Sequence, residues 1–177
     1  AWAGTLDGIA LIQKAGLKAN AFLGSNVFNT LSVQTLSDMG VHRILLSPEL
    51  TLAQAQAIGG DAPRGVFAYG RLPLMLTRNC PQKNGKTCAE CKRTGKLIDR
   101  KGIEFPIDCR SGCSEILNSV PVYMADRLGE IRNMDFSLLY FTDESREKAA
   151  EIIHDYIKGT KKPHGEFTRG LLYRGVE

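Results

Sequence analysis

The chain has 177 residues, of which 43% are hydrophobic and 24% are charged, and its net charge is +4. This length and composition are typical of one soluble globular domain, and so mild a positive charge permits an RNA or another anionic partner without requiring one. No apolar run approaches the roughly 20 residues of a membrane span and no secretory signal is visible, so we expect no membrane partner and a cytoplasmic location.

Three βα units are predicted over residues 1–71. Apolar residues at helical spacing predict the helices, and short apolar runs between them predict the strands. In chain order these are a helix at 5–16, a strand at 19–23, a helix at 30–40, a strand at 42–46, a helix at 50–58 and a strand at 65–69. The strands begin about 23 residues apart, which is the spacing of βα units in a parallel sheet.

The βα rhythm breaks between residues 72 and 120, where no long helical pattern occurs. Residues 96–107 have the pattern of a β-hairpin that turns at Lys101-Gly102, and cysteines flank this hairpin on both sides. The segment has too few apolar residues to hold itself together. We therefore interpret residues 72–120 as a small Cys-rich insertion that a metal ion staples.

The βα rhythm returns in residues 121–158. The predicted elements are a helix at 122–131, a strand at 135–141 and a last helix that residues 142–145 cap and that ends near Lys158. Residues 159–177 are rich in Gly, Lys and Arg, and we predict that they form an extended tail.

Four parallel strands with crossover helices make half of a (β/α)8 barrel, whose full form needs about 250 residues. The expected fold class is therefore α/β, with parallel βα units forming a partial (half) TIM-type barrel that carries the Cys-rich β-hairpin insertion. An open α/β sheet is the alternative. Because a half-barrel exposes a sheet edge and an apolar face, we expect two copies to pair as a homodimer.

The chain begins Ala1-Trp2-Ala3 without an initiator methionine, which we interpret as the start of a fragment or a processed product.

All five cysteines of the chain lie between residues 80 and 113: Cys80, Cys88, Cys91, Cys109 and Cys113. Cys88 and Cys91 form a C-x2-C pair, which places two thiolates on one side of a tight turn. The tight clustering and the odd count favour a metal site in a reducing compartment over two disulfides, which are the alternative. The preferred metal ligands are Cys80, Cys88, Cys91 and Cys109, and Cys113 is a substitute for Cys109. Four sulfur ligands suit zinc or an iron–sulfur cluster of the 4Fe-4S type.

Basic residues surround the cysteines, namely Arg78, Lys83, Lys86, Lys92, Arg93, Lys96 and Arg110. Cations near thiolates lower the pKa of the thiols and partly offset the negative charge of a four-thiolate site. The same cations can contact the phosphates of an RNA. A solvated basic loop is the simpler alternative.

Four segments of the chain resemble one peptidase family. They are Tyr69-Gly-Arg-Leu-Pro-Leu-Met-Leu-Thr-Arg-Asn-Cys80-Pro81, Leu97-Ile-Asp-Arg-Lys-Gly102 through Phe105-Pro106, Glu115-Ile-Leu-Asn-Ser119 and the ending Phe167-Thr-Arg-Gly-Leu-Leu-Tyr-Arg-Gly-Val-Glu177. These segments are similar to parts of the collagenase-like peptidase family of unknown catalytic type, "U-32", and the resemblance covers nearly the whole chain. The resemblance implies that this chain is a fragment of a peptidase and that an N-terminal half-barrel is missing from it.

The resemblance implies two competing activities. The family name implies a peptidase acting on a peptide substrate, and some members are linked to collagen degradation. Other members resemble RNA-modifying proteins or ubiquinone-pathway hydroxylation proteins, which carry a four-cysteine iron–sulfur cluster. The cysteines of this chain would then match those ligands by role. A third, non-enzymatic interpretation is a zinc-stapled binding module, which the zinc-like Cys-x2-Cys-Lys-Arg-Thr-Gly knuckle favours.

The sequence assigns no catalytic residue. Neither H-E-x-x-H nor G-x-S-x-G occurs, and His42, His154 and His164 are interpreted as surface or packing residues. Peptidase activity is therefore an expectation from the family resemblance alone.

Polar residues follow three of the predicted strands, where a parallel barrel places its functional groups. The candidates for substrate binding are Asn26, Glu49, Tyr69 and Arg71, with Arg71 as a fork for a carboxylate or a phosphate. Asn29 and Ser47 lie in the same regions, but helix capping is the favoured interpretation of both.

Overall fold

The computed structural model describes residues 1–83, 85, 87–91, 95–109, 112–159 and 165–174. The strands in these residues are β1 (Trp2–Ala3), β2 (Asn20–Ala21), β3 (Arg43–Leu45), β4 (Arg64–Gly70), β5 (Pro73–Thr77), β6 (Lys96–Ile98), β7 (Glu104–Asp108), β8 (Ser114–Leu117), β9 (Val122–Tyr123) and β10 (Phe136–Tyr140). The helices are α1 (Leu6–Lys14), α2 (Thr30–Asp38), α3 (Leu52–Ala57), α4 (Cys88–Cys91), α5 (Leu128–Ile131) and α6 (Arg146–Lys158).

The main sheet is parallel and curls into a half-barrel. Its strand order is β1-β2-β3-β4-β10, and every neighbouring pair along this path is parallel. Six of the seven residues of β4 are buried, as expected for a strand that is covered on both faces. The predicted α/β class with a parallel sheet in a partial barrel is therefore confirmed.

Aromatic side chains on β1 and directly after β2 meet side chains on β10, the last strand of this order. Trp2 on β1 and Phe136 on β10 have ring centroids 5.7 Å apart, and Phe22 and Tyr140 have centroids 5.4 Å apart. Because β1 and β10 are the first and last strands of the path, such contacts require the sheet to be strongly curled.

Gly65 on β4 leaves the space that the Phe136 ring occupies. A Cβ atom at residue 65 would lie 2.2 Å from the nearest ring carbon. We expect Gly65→Ala to lower the free energy of unfolding by about 2–3 kcal/mol, since overpacking of a core costs this much, and urea denaturation measures the change. Gly129→Ala is the matched control, because nothing lies within 4 Å of a Cβ added there. An equal loss from both substitutions would contradict this role for Gly65.

Two strands of the main sheet were not predicted. The pattern predicts a helix over 122–131, but β9 occupies its first two residues, and Tyr123 pairs antiparallel with Tyr69 at the end of β4. A 3-10 turn at Ala125–Arg127 and α5 fill the rest of the predicted span. Strand β1 is only two residues long, which is too short for a periodic pattern.

The insertion forms a separate four-stranded antiparallel sheet in the order β5-β8-β7-β6. The pairing of β6 with β7 lies where the sequence predicts a hairpin, and the Gly102 N–H donates to the Asp99 carbonyl in its turn. The sheet has a thin apolar core, since Leu74, Met75 and Leu76 on β5 are 54–69% exposed. Its buried apolar residues in the described part are Ile107, Ile116 and Leu117, so we expect apolar burial to stabilise the insertion only weakly.

The C-terminal segment packs against the half-barrel in its described part, 165–174, instead of extending into solvent. Thr168 bridges to Val122, and the Leu52 N–H donates to the Leu172 carbonyl at 2.8 Å. The Leu172 side chain is buried in the main core. Backbone pairing and apolar burial together outweigh the Gly-, Lys- and Arg-rich composition that predicts an extended tail.

The helix starts follow from capping residues. The Asn29 side chain accepts from the Ser32 N–H at 2.8 Å and caps α2, as predicted. The capping role predicted for Ser47 is wrong, because Thr51 caps α3 and forms a capping box with Gln54. None of the helices in the described residues has the length and apolar character that crossing a membrane requires.

Candidate functional site

The C-x2-C pair is held on the single turn of helix α4. The Thr87 N–H and hydroxyl both donate to the Glu90 carboxylate, at 2.7 and 2.8 Å. Both hydrogen bonds hold the pKa of Glu90 below its ordinary value, and the bond from the Thr87 backbone N–H has the larger effect. Cys88 and Cys91 are three residues apart, so the turn that Thr87 caps presents both thiols on one side.

Four thiols line one cavity of about 520 Å³, called here the thiol cavity. Its lining residues are Cys80, Gln82, Lys83, Thr87, Cys88, Cys91 and Cys109. The cysteines among them are the four preferred ligands of the sequence analysis, and the described lining does not include Cys113. The structure thus brings together residues that lie up to 29 positions apart in the sequence.

The donor set of the thiol cavity fits a soft metal. All five cysteines are described, and none of them forms a disulfide bond. Thiolates are the ligands that zinc and iron–sulfur clusters take. In the described residues, however, no group of three or more His, Cys, Asp or Glu side chains is close enough to hold a metal ion. The thiols of the cavity would have to move closer together to become ligands.

Two neighbours constrain the positions of the thiols. The Cys109 Sγ lies 3.7 Å from the hydroxyl of Ser114, which is buried on β8. A Cβ atom at residue 95 would lie 3.3 Å from the Cys91 Sγ and 2.9 Å from Gln82 Cγ, so glycine at this position permits their close approach. The Gln82 side chain also donates to the Lys96 carbonyl at 2.6 Å, which ties the loop to β6.

The four strand-end candidates divide between two other cavities. Asn26 and Glu49 line a cavity of about 560 Å³, called here the amide cavity. Tyr69 and Arg71 line a cavity of about 360 Å³, called here the tyrosine cavity. Both cavities lie at the carboxyl ends of parallel strands, where ligands bind in α/β folds.

The amide cavity lies between the half-barrel and the insertion. Leu74 on β5 and Glu115 on β8 form one of its walls. Asn26 has the left-handed backbone φ of 44°, and its Oδ1 accepts from the Ser47 hydroxyl at 2.8 Å. The Ser47 Oγ in turn accepts from the Glu49 N–H at 3.3 Å. These bonds fix the loops after β2 and β3 relative to each other, and two carboxylates face one cavity.

Arg71 joins three segments around the tyrosine cavity. Its Nε donates to the Asp143 carboxylate at 3.3 Å, and its Nη1 donates to the carbonyls of Asn118 and Ser119. The guanidinium thus ties the end of β4 to the returning insertion and to the loop after β10. Because these contacts use several of its N–H groups, Arg71 has fewer donors left to bind a carboxylate or a phosphate of a ligand.

Glu144 is a candidate that the sequence analysis missed. The sequence pattern at 142–145 predicts only the cap of the last helix, which Ser145 does provide. Glu144 lies directly after β10, lines the tyrosine cavity and accepts from the Tyr69 hydroxyl at 2.8 Å. Applying the strand-end rule to the fourth predicted strand would have identified it.

Several basic residues of the predicted cluster, and one histidine, lie outside the described residues: Lys86, Lys92, Arg93, Arg110 and His164. Of the remaining basic residues, Lys83 lines the thiol cavity and Lys96 forms an exposed ion pair with Glu104.

Comparisons of the chain with family models, with curated proteins and with solved structures found no match.

Proposed function

We propose that this chain is part of a protein of the collagenase-like peptidase family U-32, and that its insertion holds a metal through Cys80, Cys88, Cys91 and Cys109. The observation that supports the metal site is that these four thiols, and not Cys113, line one cavity in the part of the chain that the structure describes. The peptidase assignment is supported by the resemblance of the chain to that family.

A bound metal would supply either a structural staple, if it is zinc, or electron transfer, if it is an iron–sulfur cluster. Hydrogen bonds within the chain already position some of the cysteines. The Thr87–Glu90 hydrogen bonds orient Cys88 and Cys91, and the Ser114 hydroxyl lies beside Cys109. The exposed apolar residues of β5 favour a staple, because apolar burial alone holds this sheet weakly.

The peptide would bind at the carboxyl ends of the barrel strands, in a TIM-type barrel of which this half-barrel is one part. The amide and tyrosine cavities there are large enough for amino-acid side chains and carry the polar groups that position a peptide. The roles of Asn26, Glu49, Tyr69 and Arg71 in substrate binding belong to this proposal, as do a homodimer and a cytoplasmic location.

Cleavage of denatured collagen by the full-length protein tests the peptidase assignment. We expect cleavage, and we expect Glu49→Gln to reduce kcat/KM by about tenfold or more, which corresponds to one lost charged hydrogen bond. Glu147→Gln, an exposed carboxylate on α6 outside both cavities, is the matched control. Cleavage that survives replacement of Asn26, Glu49, Tyr69 and Arg71 together would contradict the proposed substrate site.

A second candidate is iron–sulfur-dependent hydroxylation of RNA or a small molecule, which the presence of Lys83 beside the four thiols favours. Elemental analysis and an optical spectrum of protein purified without oxygen separate the candidates. Iron with matching sulfide and a brown absorbance would favour hydroxylation. Stoichiometric zinc without colour would leave a peptidase with a structural metal or, if no cleavage is found, a zinc-stapled binding module.

A further inference from the structure

The tyrosine cavity combines aromatic walls with an excess of carboxylates. Its rings are those of Tyr69, Tyr123 and Phe167, and its carboxylates are those of Asp143, Glu144 and Glu166. Pro121 and Ile152 add apolar surface. A volume of about 360 Å³ is in the lower part of the range of small-ligand pockets, which suits one amino-acid side chain.

The two cations that line this cavity already have carboxylate partners. Arg71 pairs with Asp143 at 3.3 Å, and Lys148 pairs with Glu151 at 3.1 Å. Among the described residues, neither Glu144 nor Glu166 forms an ion pair. The cavity therefore has two carboxylates without an ion-pair partner in that part of the chain, and its excess of carboxylates over cations favours a positively charged ligand.

Glu144 is held in place before any ligand arrives. Its Oε1 accepts from the Tyr69 hydroxyl at 2.8 Å, and its Oε2 accepts from the Thr142 N–H at 2.7 Å. Each carboxylate oxygen can accept a further hydrogen bond. Burial raises the pKa of the Tyr69 hydroxyl, and so do the hydrogen bond to Glu144 and the negative charges of Glu144 and Asp143. The tyrosine thus stays a neutral donor to Glu144.

The aromatic rings suit the stem and the head of a basic side chain. Tyr69 and Tyr123 pack edge to face with centroids 6.3 Å apart, and Phe167 lies 6.1 Å from Tyr123. Phe167 also accepts the Arg169 guanidinium 4.5 Å from its centroid, so one of these rings already binds a cation. Aromatic rings attract ammonium and guanidinium groups through their quadrupole.

We propose that the tyrosine cavity binds a basic side chain of a peptide, the ammonium of a lysine or the guanidinium of an arginine, with Glu144 as its main partner and Glu166 as its second. The peptide origin of this side chain rests on the proposed function. The recognition of the cation rests on the cavity itself and needs no metal.

Isothermal titration of the whole chain tests this proposal. The probes are N-acetyl-lysine N-methylamide and N-acetyl-arginine N-methylamide, with N-acetyl-norleucine N-methylamide as the uncharged control and butylammonium as a free amine. We expect at least one of the two charged amides to bind about tenfold tighter than norleucine amide, the effect of one charged hydrogen bond. Equal binding of the charged and uncharged amides would overturn the proposal. Equal binding of the charged amides and butylammonium would contradict the part of the proposal that assigns the basic side chain to a peptide.

Variants of the carboxylates complete the test. Glu144→Gln is expected to weaken binding of the charged amide about tenfold, and Glu166→Gln to weaken it by a smaller factor. Glu147→Gln should leave binding unchanged. Since Glu166 is exposed, its substitution remains informative even if Glu144→Gln lowers the melting temperature. Charge-selective binding without collagen cleavage would contradict the peptidase assignment alone, whereas cleavage without charge-selective binding would contradict this inference alone.

Discussion

Cys88→Ser is expected to release the proposed metal from the insertion and to unfold the insertion, while the half-barrel stays folded. Structural four-thiolate sites bind zinc with apparent free energies of about 10–16 kcal/mol, and such binding energy is also folding energy. Apolar burial in the antiparallel sheet of the insertion is limited, since β5 exposes Leu74, Met75 and Leu76. Loss of a residue that only hydrogen-bonds to a metal ligand lowers metal affinity roughly 10- to 100-fold. Loss of one of the thiolate ligands themselves should therefore lower metal affinity by more.

The measurements are metal content per chain and hydrogen exchange of residues 72–120. Cys113→Ser is the matched control, because Cys113 belongs to the same insertion but is absent from the described lining of the thiol cavity. We expect the control to keep its metal and its protected amides. Loss of metal in Cys113→Ser together with retention of metal in Cys109→Ser would show that Cys113, and not Cys109, is the fourth ligand. Retention in both Cys88→Ser and Cys91→Ser would contradict the site.

Asp126→Asn is expected to lower the free energy of unfolding by about 3 kcal/mol, because it leaves a largely buried guanidinium without its counter-charge. Both Asp126 oxygens accept from Arg169 at 2.6 Å, and the two side chains are 14% and 19% exposed. Arg169 also donates to the Tyr123 carbonyl. The pair therefore anchors the C-terminal segment to the turn before α5, and urea denaturation measures the loss.

Glu104→Gln provides the control for an exposed pair. Glu104 and Lys96 are each 52% exposed, and ion pairs of this kind contribute about 0–1 kcal/mol. A loss in Asp126→Asn no larger than that in Glu104→Gln would contradict the role of the Arg169–Asp126 pair.

The same pair predicts how stability depends on pH. The Arg169 hydrogen bonds hold the pKa of Asp126 below its ordinary value. An aspartate whose pKa is lowered by folding contributes stability that is complete above its unfolded pKa, about 3.9, and is lost as the pH falls through the folded pKa. We therefore expect the difference between wild type and Asp126→Asn to be constant near neutral pH and to shrink below about pH 4.

Much of the half-barrel could be predicted from the sequence, because its βα units repeat regularly and α1, α2, α3 and α6 each begin at a capping residue. The predicted helix over 122–131 is wrong at its start, where Tyr123 instead pairs with Tyr69 at the end of β4. A buried hydrogen bond from the Tyr123 hydroxyl to Asp155 stabilises this arrangement. Such a partner, 32 residues away, leaves no signal in a local pattern.

The sequence names candidate site residues but does not show how they are arranged in space. The cysteine spacing identifies Cys80, Cys88 and Cys91 but leaves Cys109 and Cys113 as alternatives, and of these two only Cys109 belongs to the described lining of the thiol cavity. The strand-end rule identifies Asn26, Glu49, Tyr69 and Arg71, but not their division between two cavities. That division depends on the insertion, which forms a wall beside Asn26, and on the C-terminal segment, which brings Phe167 to Tyr123. Both are tertiary contacts between segments with no shared periodicity.

X-ray absorption at the zinc and iron edges tests the proposed four-cysteine site most directly. We expect four sulfur atoms bound directly to the metal, at about 2.3 Å if the metal is zinc, or sulfur together with a short iron–iron distance if it is a cluster. Cys88→Ser should abolish this signal. A first shell dominated by oxygen or nitrogen, or protein that binds neither zinc nor iron under reducing conditions, would contradict the central claim.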